Sequence, residues 1–145
     1  MATTTTNFGF DIPQSSDLVK NGATQIALLG QDIDTTFAGL TVNAQTGTTY
    51  TAVKADGLNA IVTMDNASAN TFSIPTDATY AFPTGTTLLV YQKGAGVTTI
   101  QAASSGTTTV VSAGAVAAAP VLARYKSAAC IKISANSWIV VGAVA

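Results

Sequence analysis

The stretch Thr86-Thr87-Leu88-Leu89-Val90-Tyr91-Gln92-Lys93-Gly94-Ala95-Gly96-Val97-Thr98-Thr99-Ile100-Gln101-Ala102 decides the fold class. Two short runs rich in β-branched and aromatic residues flank a Lys-Gly-Ala-Gly break, which reads as strand, turn, strand. Glycine accepts backbone angles that other residues resist, so Gly94-Ala95-Gly96 is expected to turn a hairpin. Outward from it the same grammar repeats. Asn59–Met64, Thr71–Ile74, Thr107–Ser112, Val121–Tyr125, Ala129–Ser134 and Trp138–Val144 are further candidate strands. Asp65-Asn66, Pro75-Thr76-Asp77, Pro83-Thr84-Gly85 and Ser104-Ser105-Gly106 punctuate them, and Ala135-Asn136 is expected to turn the last hairpin. About eight short strands, most starting about ten residues apart, predict an antiparallel β-sandwich or barrel-like domain over residues 58–145. Val140 to Ala145 is apolar and expected to be buried, and Ala113–Pro120 fits neither a strand nor a helix cleanly.

Upstream the period changes from two to about three and a half. Over residues 17–40, Val19, Ile26, Ile33 and Leu40 recur every seven residues, with Ala23, Leu29, Gly30 and Phe37 beside them. Lys20, Asn21, Gln25, Asp32 and Asp34 take the other side, which makes an amphipathic helix. Ser16 suits the N-cap, Asp17 the first turn and Gly39 the stop. Gly22 and Gly30 each cost the helix about 1 kcal/mol relative to alanine, so alone it would be marginal. Its apolar stripe therefore needs a cover. Either the β-domain of the same chain supplies it, or Val19, Ala23, Ile26, Leu29, Ile33, Phe37 and Leu40 form the seam of a self-associating bundle. The pattern alone leaves both open. Residues 1–16 read as an extended polar arm and residues 41–57 as a Thr-rich linker.

Composition removes many chemistries. The chain has 145 residues, with no His and no Glu, and its 7 acidic residues are all Asp. Charged residues make up 9%, against roughly a quarter in an ordinary domain. Without His there is no imidazole base, no Ser-His or Cys-His nucleophile and no His-containing zinc site. No Gly-x-Ser-x-Gly elbow or calcium loop is present, and Gly94-Ala95-Gly96 lacks the Lys of a phosphate cradle. Asp32 and Asp34, two apart in a helix, do not share a face. No catalytic residue, cofactor or metal is expected. A net charge of −1, with six scattered cations, argues against nucleic acid. Cys130, the one cysteine, sits in an apolar run and reads as a small buried hydrophobe. No stretch is apolar enough for a membrane span, and the N-terminus lacks signal-peptide character, so a soluble protein made in the cytosol is expected.

Thr (24) and Ala (26) fill about a third of the chain, so solubility rests on uncharged polar groups and few Lys guard the strand edges. Closed symmetry, in which neighbouring copies cover those edges, suits such a surface. Among the aromatics, Tyr50, Tyr80, Tyr91, Tyr125 and Trp138 fall in or beside strands, where packing is the ordinary role. Tyr80 and Tyr91 are retained as candidate receptor contacts, which would make the chain a host-glycan binding module.

Two groups of phrases carry a family resemblance. Phe8-Gly9-Phe10-Asp11-Ile12-Pro13-Gln14-Ser15-Ser16-Asp17-Leu18-Val19-Lys20-Asn21-Gly22-Ala23, continuing to Leu29-Gly30-Gln31-Asp32-Ile33-Asp34, resembles the opening of minor tail and fibre-like proteins of tailed bacteriophages. Met64–Pro75, Phe82–Thr86 and Lys132–Gly142 resemble a small β-domain that recurs in phage virion structural proteins. The resemblance implies a non-enzymatic virion protein on the particle surface, a homotrimer partnered by tail or major capsid protein. It tips the open choice at the helix toward association. The chain is shorter than a tail fibre with shaft and receptor tip. That raises a capsid decoration protein as the second candidate, with a short fibre or minor tail protein ranked just ahead of it.

Overall fold

Alternation along a strand fixes which side is buried, but only hydrogen bonding decides which strand lies next to it. In the computed structural model, which describes residues 3–5, 8–12, 19–112 and 119–145, the chain is mainly β with one helix. It divides into two units, Met1–Leu40 and Thr41–Ala145. The first holds β1 (Thr3–Thr4), β2 (Asp11–Ile12) and α1 (Val19–Phe37). The second holds β3 (Thr41–Gln45), β4 (Thr49–Thr51), a 3-10 turn (Lys54–Gly57), β5 (Ala60–Met64), β6 (Asn70–Ile74), β7 (Thr87–Gln92), β8 (Thr98–Ala102), β9 (Thr109–Ser112), β10 (Val121–Leu122), β11 (Ser127–Ser134) and β12 (Ser137–Gly142). Six strands form one sheet in the order β3-β5-β7-β11-β12-β9, and four form another in the order β10-β8-β6-β4.

The expected antiparallel pairing is corrected. β3, β5 and β7 run parallel to one another, and so do β4, β6 and β8. From β3 to β8 the chain alternates between the sheets, laying each strand beside the previous one of its own sheet. A parallel neighbour needs a long crossover, and here the crossover is the strand of the other sheet. Residues 41–57 are therefore no linker: they form the first coil of this winding, with edge strands β3 and β4. Antiparallel pairing enters at the end, where β11 pairs with β7 and, through the expected turn at Asn136 (φ 50), with β12. β12 then takes β9 as a parallel neighbour.

One apolar cluster draws on both sheets. Val62, Met64, Leu88, Val90, Cys130, Trp138 and Val140 come from the six-stranded sheet, and Phe72, Ile74, Ile100 and Leu122 from the four-stranded one. Trp138, fully buried, meets the Phe82 ring in a T-shaped contact at 5.6 Å between centroids. The C-terminal run is not buried as a whole. Val140 is in the core, whereas Val141 is 46% exposed, and Ala145 is tied to Val121 by two backbone hydrogen bonds.

The Lys93–Val97 segment is a corner between sheets, not a hairpin. It lies on the corner of the preceding coil. Lys93 N–H donates to Met64 O (2.9 Å), Gly96 N–H to Asn66 O (2.9 Å) and Asn70 N–H to Val97 O (2.8 Å). A Cβ on Gly94 would overlap the Asn66 backbone, and one on Gly96 the Ser68 carbonyl. Close approach, not a positive φ, requires these two glycines. Beneath them the buried Gln92 amide donates to Gly94 O (3.1 Å) and Gly96 O (2.8 Å). The Thr98 hydroxyl bridges Gln92 Oε1 and Asn70 Oδ1.

Backbone cannot yield as a side-chain tip can, so Gly96→Ala is expected to lower unfolding free energy by about 1–3 kcal/mol. Gly106→Ala, where a Cβ meets nothing within 4 Å, should stay within about 0.5 kcal/mol of the parent. Urea titration of both variants checks the pair.

Candidate functional site

The first unit combines the helix with the N-terminal residues. The expected extended arm is corrected for the residues described. β1 and β2 pair antiparallel, Thr3 opposite Ile12 and Thr4 opposite Asp11. Between them Thr5 N–H donates to Phe10 O, Gly9 (φ 70) carries the turn, and Phe10 N–H reaches Thr5 Oγ1 at 2.9 Å. Phe8 stacks on Phe10 (5.3 Å between centroids) and meets Phe37 of α1 (6.1 Å). The hairpin tip therefore rests near the C-terminal end of the helix, beside Asp32, Thr35 and Thr36.

Along α1 the half-covered positions are Gly22, Gln25, Leu29, Asp32 and Thr36, spaced three or four apart. Asp32 and Gln25, read as facing away, thus lie on the more covered side. The apolar seam flanks that side and is open. Ile26 and Phe37 are each 66% exposed, Ile33 43% and Leu40 49%. Ala23 is exposed as well, and Leu29 sits at the boundary, half-buried. Val19 is the first helical residue. Leu40 falls beyond the helix, which ends at Phe37 ahead of Gly39, so it extends the seam along the chain and not along the helix. The expected cap Ser16 and first-turn Asp17 lie outside the described residues, as do residues 113–118.

Two carboxylates of the second unit, Asp56 and Asp77, each hold several hydrogen bonds. Asp56, 1% exposed, sits in the 3-10 turn. Its Oδ1 accepts from Asn43 Nδ2 (2.7 Å), and its Oδ2 from Tyr50 OH (2.8 Å) and Val53 N–H (2.8 Å). Burial, then the Asp56 hydrogen bond and charge, push the Tyr50 phenol up to about 12. Tyr50 therefore stays protonated and serves Asp56 as a donor. In sheet register Tyr50 stands over Phe72 and Ile100, and Asn43 over Val62 and Val90. The first coil thus presents polar groups where later coils are apolar, and the hydrogen-bond network closes that end of the core. Terminal repeats of wound folds commonly turn polar in this way.

Asp77 and Lys132 form the second pair. Lys132 is 4% exposed, and its Nζ donates to Asp77 Oδ1 and Phe82 O, both at 2.6 Å. Asn136 locks the same carboxylate, donating its N–H to Asp77 Oδ2 (3.1 Å) and accepting the Asp77 N–H (2.8 Å) on its side chain. The loop before β7 is thereby clamped to the β11–β12 turn. With each carboxylate oxygen of Asp77 accepting a hydrogen bond and the Lys132 ammonium held between Asp77 and Phe82 O, the pair acts as a fastener between the two segments. Its signal lay in Lys132 itself, a charge inside an apolar alternation.

Cys130 is fully buried, and burial pushes its thiol up to about 12, so it packs as a hydrophobe. Among the described residues no three acidic or thiol groups converge as a metal site would need, and no helix is long and apolar enough to cross a membrane. Tyr80 is half-buried, with its ring 6.4 Å from Phe82. Tyr91 is half-buried on β7, in register with Thr63 and Ser127. No ring contact among the described residues joins the two tyrosines. No protein-family model matches the chain, and no curated protein or solved structure matches it.

The Tyr50–Asp56 bond gives a pH test. The folded phenol titrates near 12 and the free one at 10.0, so its stabilising contribution is complete below pH 10 and is lost as the pH rises toward 12. Tyr50→Phe is expected to cost about 1–3 kcal/mol at neutral pH and to flatten that alkaline decline. Denaturation followed through this pH range in both proteins measures it.

Proposed function

We propose that this chain is a non-enzymatic structural protein of a tailed-bacteriophage virion, a short fibre or minor tail component. It associates as a trimer through the α1 seam, and its N-terminal hairpin and helix attach it to the particle. The β-unit is the part presented at the particle surface. Placement on the head as a decoration protein is the alternative within the same reading.

The open seam carries this proposal. Ile26, Ile33 and Phe37 leave large apolar surface in water, and burying one such side chain fully is worth about 1.5–3 kcal/mol. The hairpin meets the seam at Phe37, through Phe8, while Ile26 and Ile33 stay exposed, which is what a bundle of copies needs. The phrase-level resemblance to phage tail proteins starts at Phe8 and runs through this hairpin and helix. Chemistry supports the absence of an enzyme, since Asp56 and Asp77 are consumed by structural hydrogen bonds and Cys130 is sealed. Tyr80 and Tyr91 do not assemble one aromatic platform, which weighs against a glycan-binding module.

Native mass spectrometry of the full chain should give three copies, and Ile26→Asp with Ile33→Asp should shift it to monomer while far-ultraviolet circular dichroism keeps its β signature. A parent protein that stays monomeric removes the trimer. Quantitative mass spectrometry of purified particles then places it: a handful of copies per particle marks the tail, hundreds mark the head. Absence from particles defeats the virion assignment.

A further inference from the structure

Two Lys–Asp pairs of the β-unit have almost the same length and very different surroundings. Lys93 meets Asp65 at 2.7 Å with side chains 59% and 39% exposed, so both charges stay hydrated. Lys132 meets Asp77 at 2.6 Å with side chains 4% and 24% exposed, and Trp138 is its register partner on β12. Water is nearly excluded from the amine and still reaches the carboxylate. An ammonium carries three N–H donors. Two of those on Lys132 have acceptors among the described residues, Asp77 Oδ1 and Phe82 O. Across the pair, Asp77 Oδ2 accepts the Asn136 N–H at 3.1 Å, while Asn136 Oδ1 takes the Asp77 N–H at 2.8 Å. The carboxylate is thus held from its own backbone and from the β11–β12 turn, with the amine against its other oxygen.

We propose that Lys132 Nζ and Asp77 Cγ join in an intramolecular amide, a covalent cross-link between β11 and the loop before β7. The step balances within the pair. A proton passes from Nζ to Oδ1 along the 2.6 Å hydrogen bond, which leaves an amine and a carboxylic acid with no change in net charge. The Nζ lone pair adds to Cγ, and the charge that develops on Oδ2 is met by the Asn136 N–H. A second proton moves from nitrogen to the Oδ1 hydroxyl, the Cγ–Oδ1 bond breaks, and one water leaves on the solvent side of Asp77. No oxidant, metal or second substrate is needed. The product suits the site better than the ion pair does. A secondary amide has one N–H and one carbonyl, and Phe82 O and the Asn136 N–H already stand as their partners. Two charges vanish from a nearly dry place, and their desolvation cost goes with them. Holding the amine against the carboxyl supplies the encounter that free side chains in water lack. Because the proton is exchanged inside the pair, with no third acidic group converging on it among the described residues, the bond is expected to form slowly and to accumulate with age. It would tie positions 55 residues apart, and it stands whatever the number of copies and wherever the chain resides.

Intact mass of the denatured full chain, freshly purified and after prolonged incubation at neutral pH, tests it. A species one water lighter than the sequence mass is expected, and its share should grow with time. Asp56-Gly57 can also lose a water, by closing to a cyclic imide, so the position is read from a digest. Trypsin should no longer cut after Lys132, and tandem mass spectrometry should find the peptide holding Asp77 branched onto the one holding Lys132. Lys132→Arg keeps the cation and cannot form the amide, so it should abolish the lighter species. Lys93→Arg makes the same change in the hydrated pair and should leave it. Sequence mass at both ages overturns the proposal. So does a water loss that maps to Asp56-Gly57, or one that persists in folded Lys132→Arg protein. Should Lys132→Arg fail to fold, the branched peptide of the parent decides alone: its presence supports the cross-link and its absence removes it.

Discussion

Strands β5 to β8 bury alternate side chains, and the buried ones find partners on the other sheet. Val62, Met64 and Val90 share one apolar cluster with Phe72, Ile74 and Ile100 because from β3 to β8 the chain crosses from sheet to sheet after every strand. Successive strands of one sheet are then separated by a whole strand of the other, and parallel pairing follows. The corners must stack as closely as the strands, at about 4.8 Å, which leaves no room for a Cβ at Gly94 or Gly96. The polar groups buried at Gln92, Thr98 and Asn70 hold the corners in that register.

A winding of this kind has ends, and the ends need chemistry the middle does not. At the start, Asp56 gathers Asn43, Tyr50 and the Val53 amide where continued apolar rows would open to solvent. At the finish, the β11–β12 hairpin pairs antiparallel with β7, and Lys132, Asp77 and Asn136 pin it to the loop before β7. The few charges of this chain are thus partly spent inside it. What the two sheets present outward is largely uncharged, and the helix carries an apolar seam.

Tertiary placement also changes the meaning of residues that look alike in sequence. Asp65 and Asp77 both occupy turn positions. Asp65 meets Lys93 at 2.7 Å on the surface, where such a pair contributes little, whereas Asp77 meets a buried lysine and fixes a loop. Tyr80 and Tyr91 both read as aromatics in or beside strands and as candidate receptor contacts. One packs beside Phe82, and the other joins the outer face of the six-stranded sheet.

Alternation, turn residues and the seven-residue spacing are local properties, so the sequence by itself determined that the chain is mainly β, where eight strands of residues 58–145 fall, that one amphipathic helix precedes them, and that Cys130 and Trp138 lie inside. Strand direction was not legible, because a short corner between sheets and a hairpin turn have the same composition, and only the hydrogen-bond partner tells them apart. The Thr-rich stretch 41–57 read as a linker because its inward positions are polar. Their burial makes sense only once Asp56 is seen to satisfy them. Pairing of Lys132 with Asp77, across 55 residues of chain, and the unbroken apolar row from Val42 to Val141 are likewise products of register between distant strands. Such contacts belong to no single segment, so the tertiary structure alone decided them.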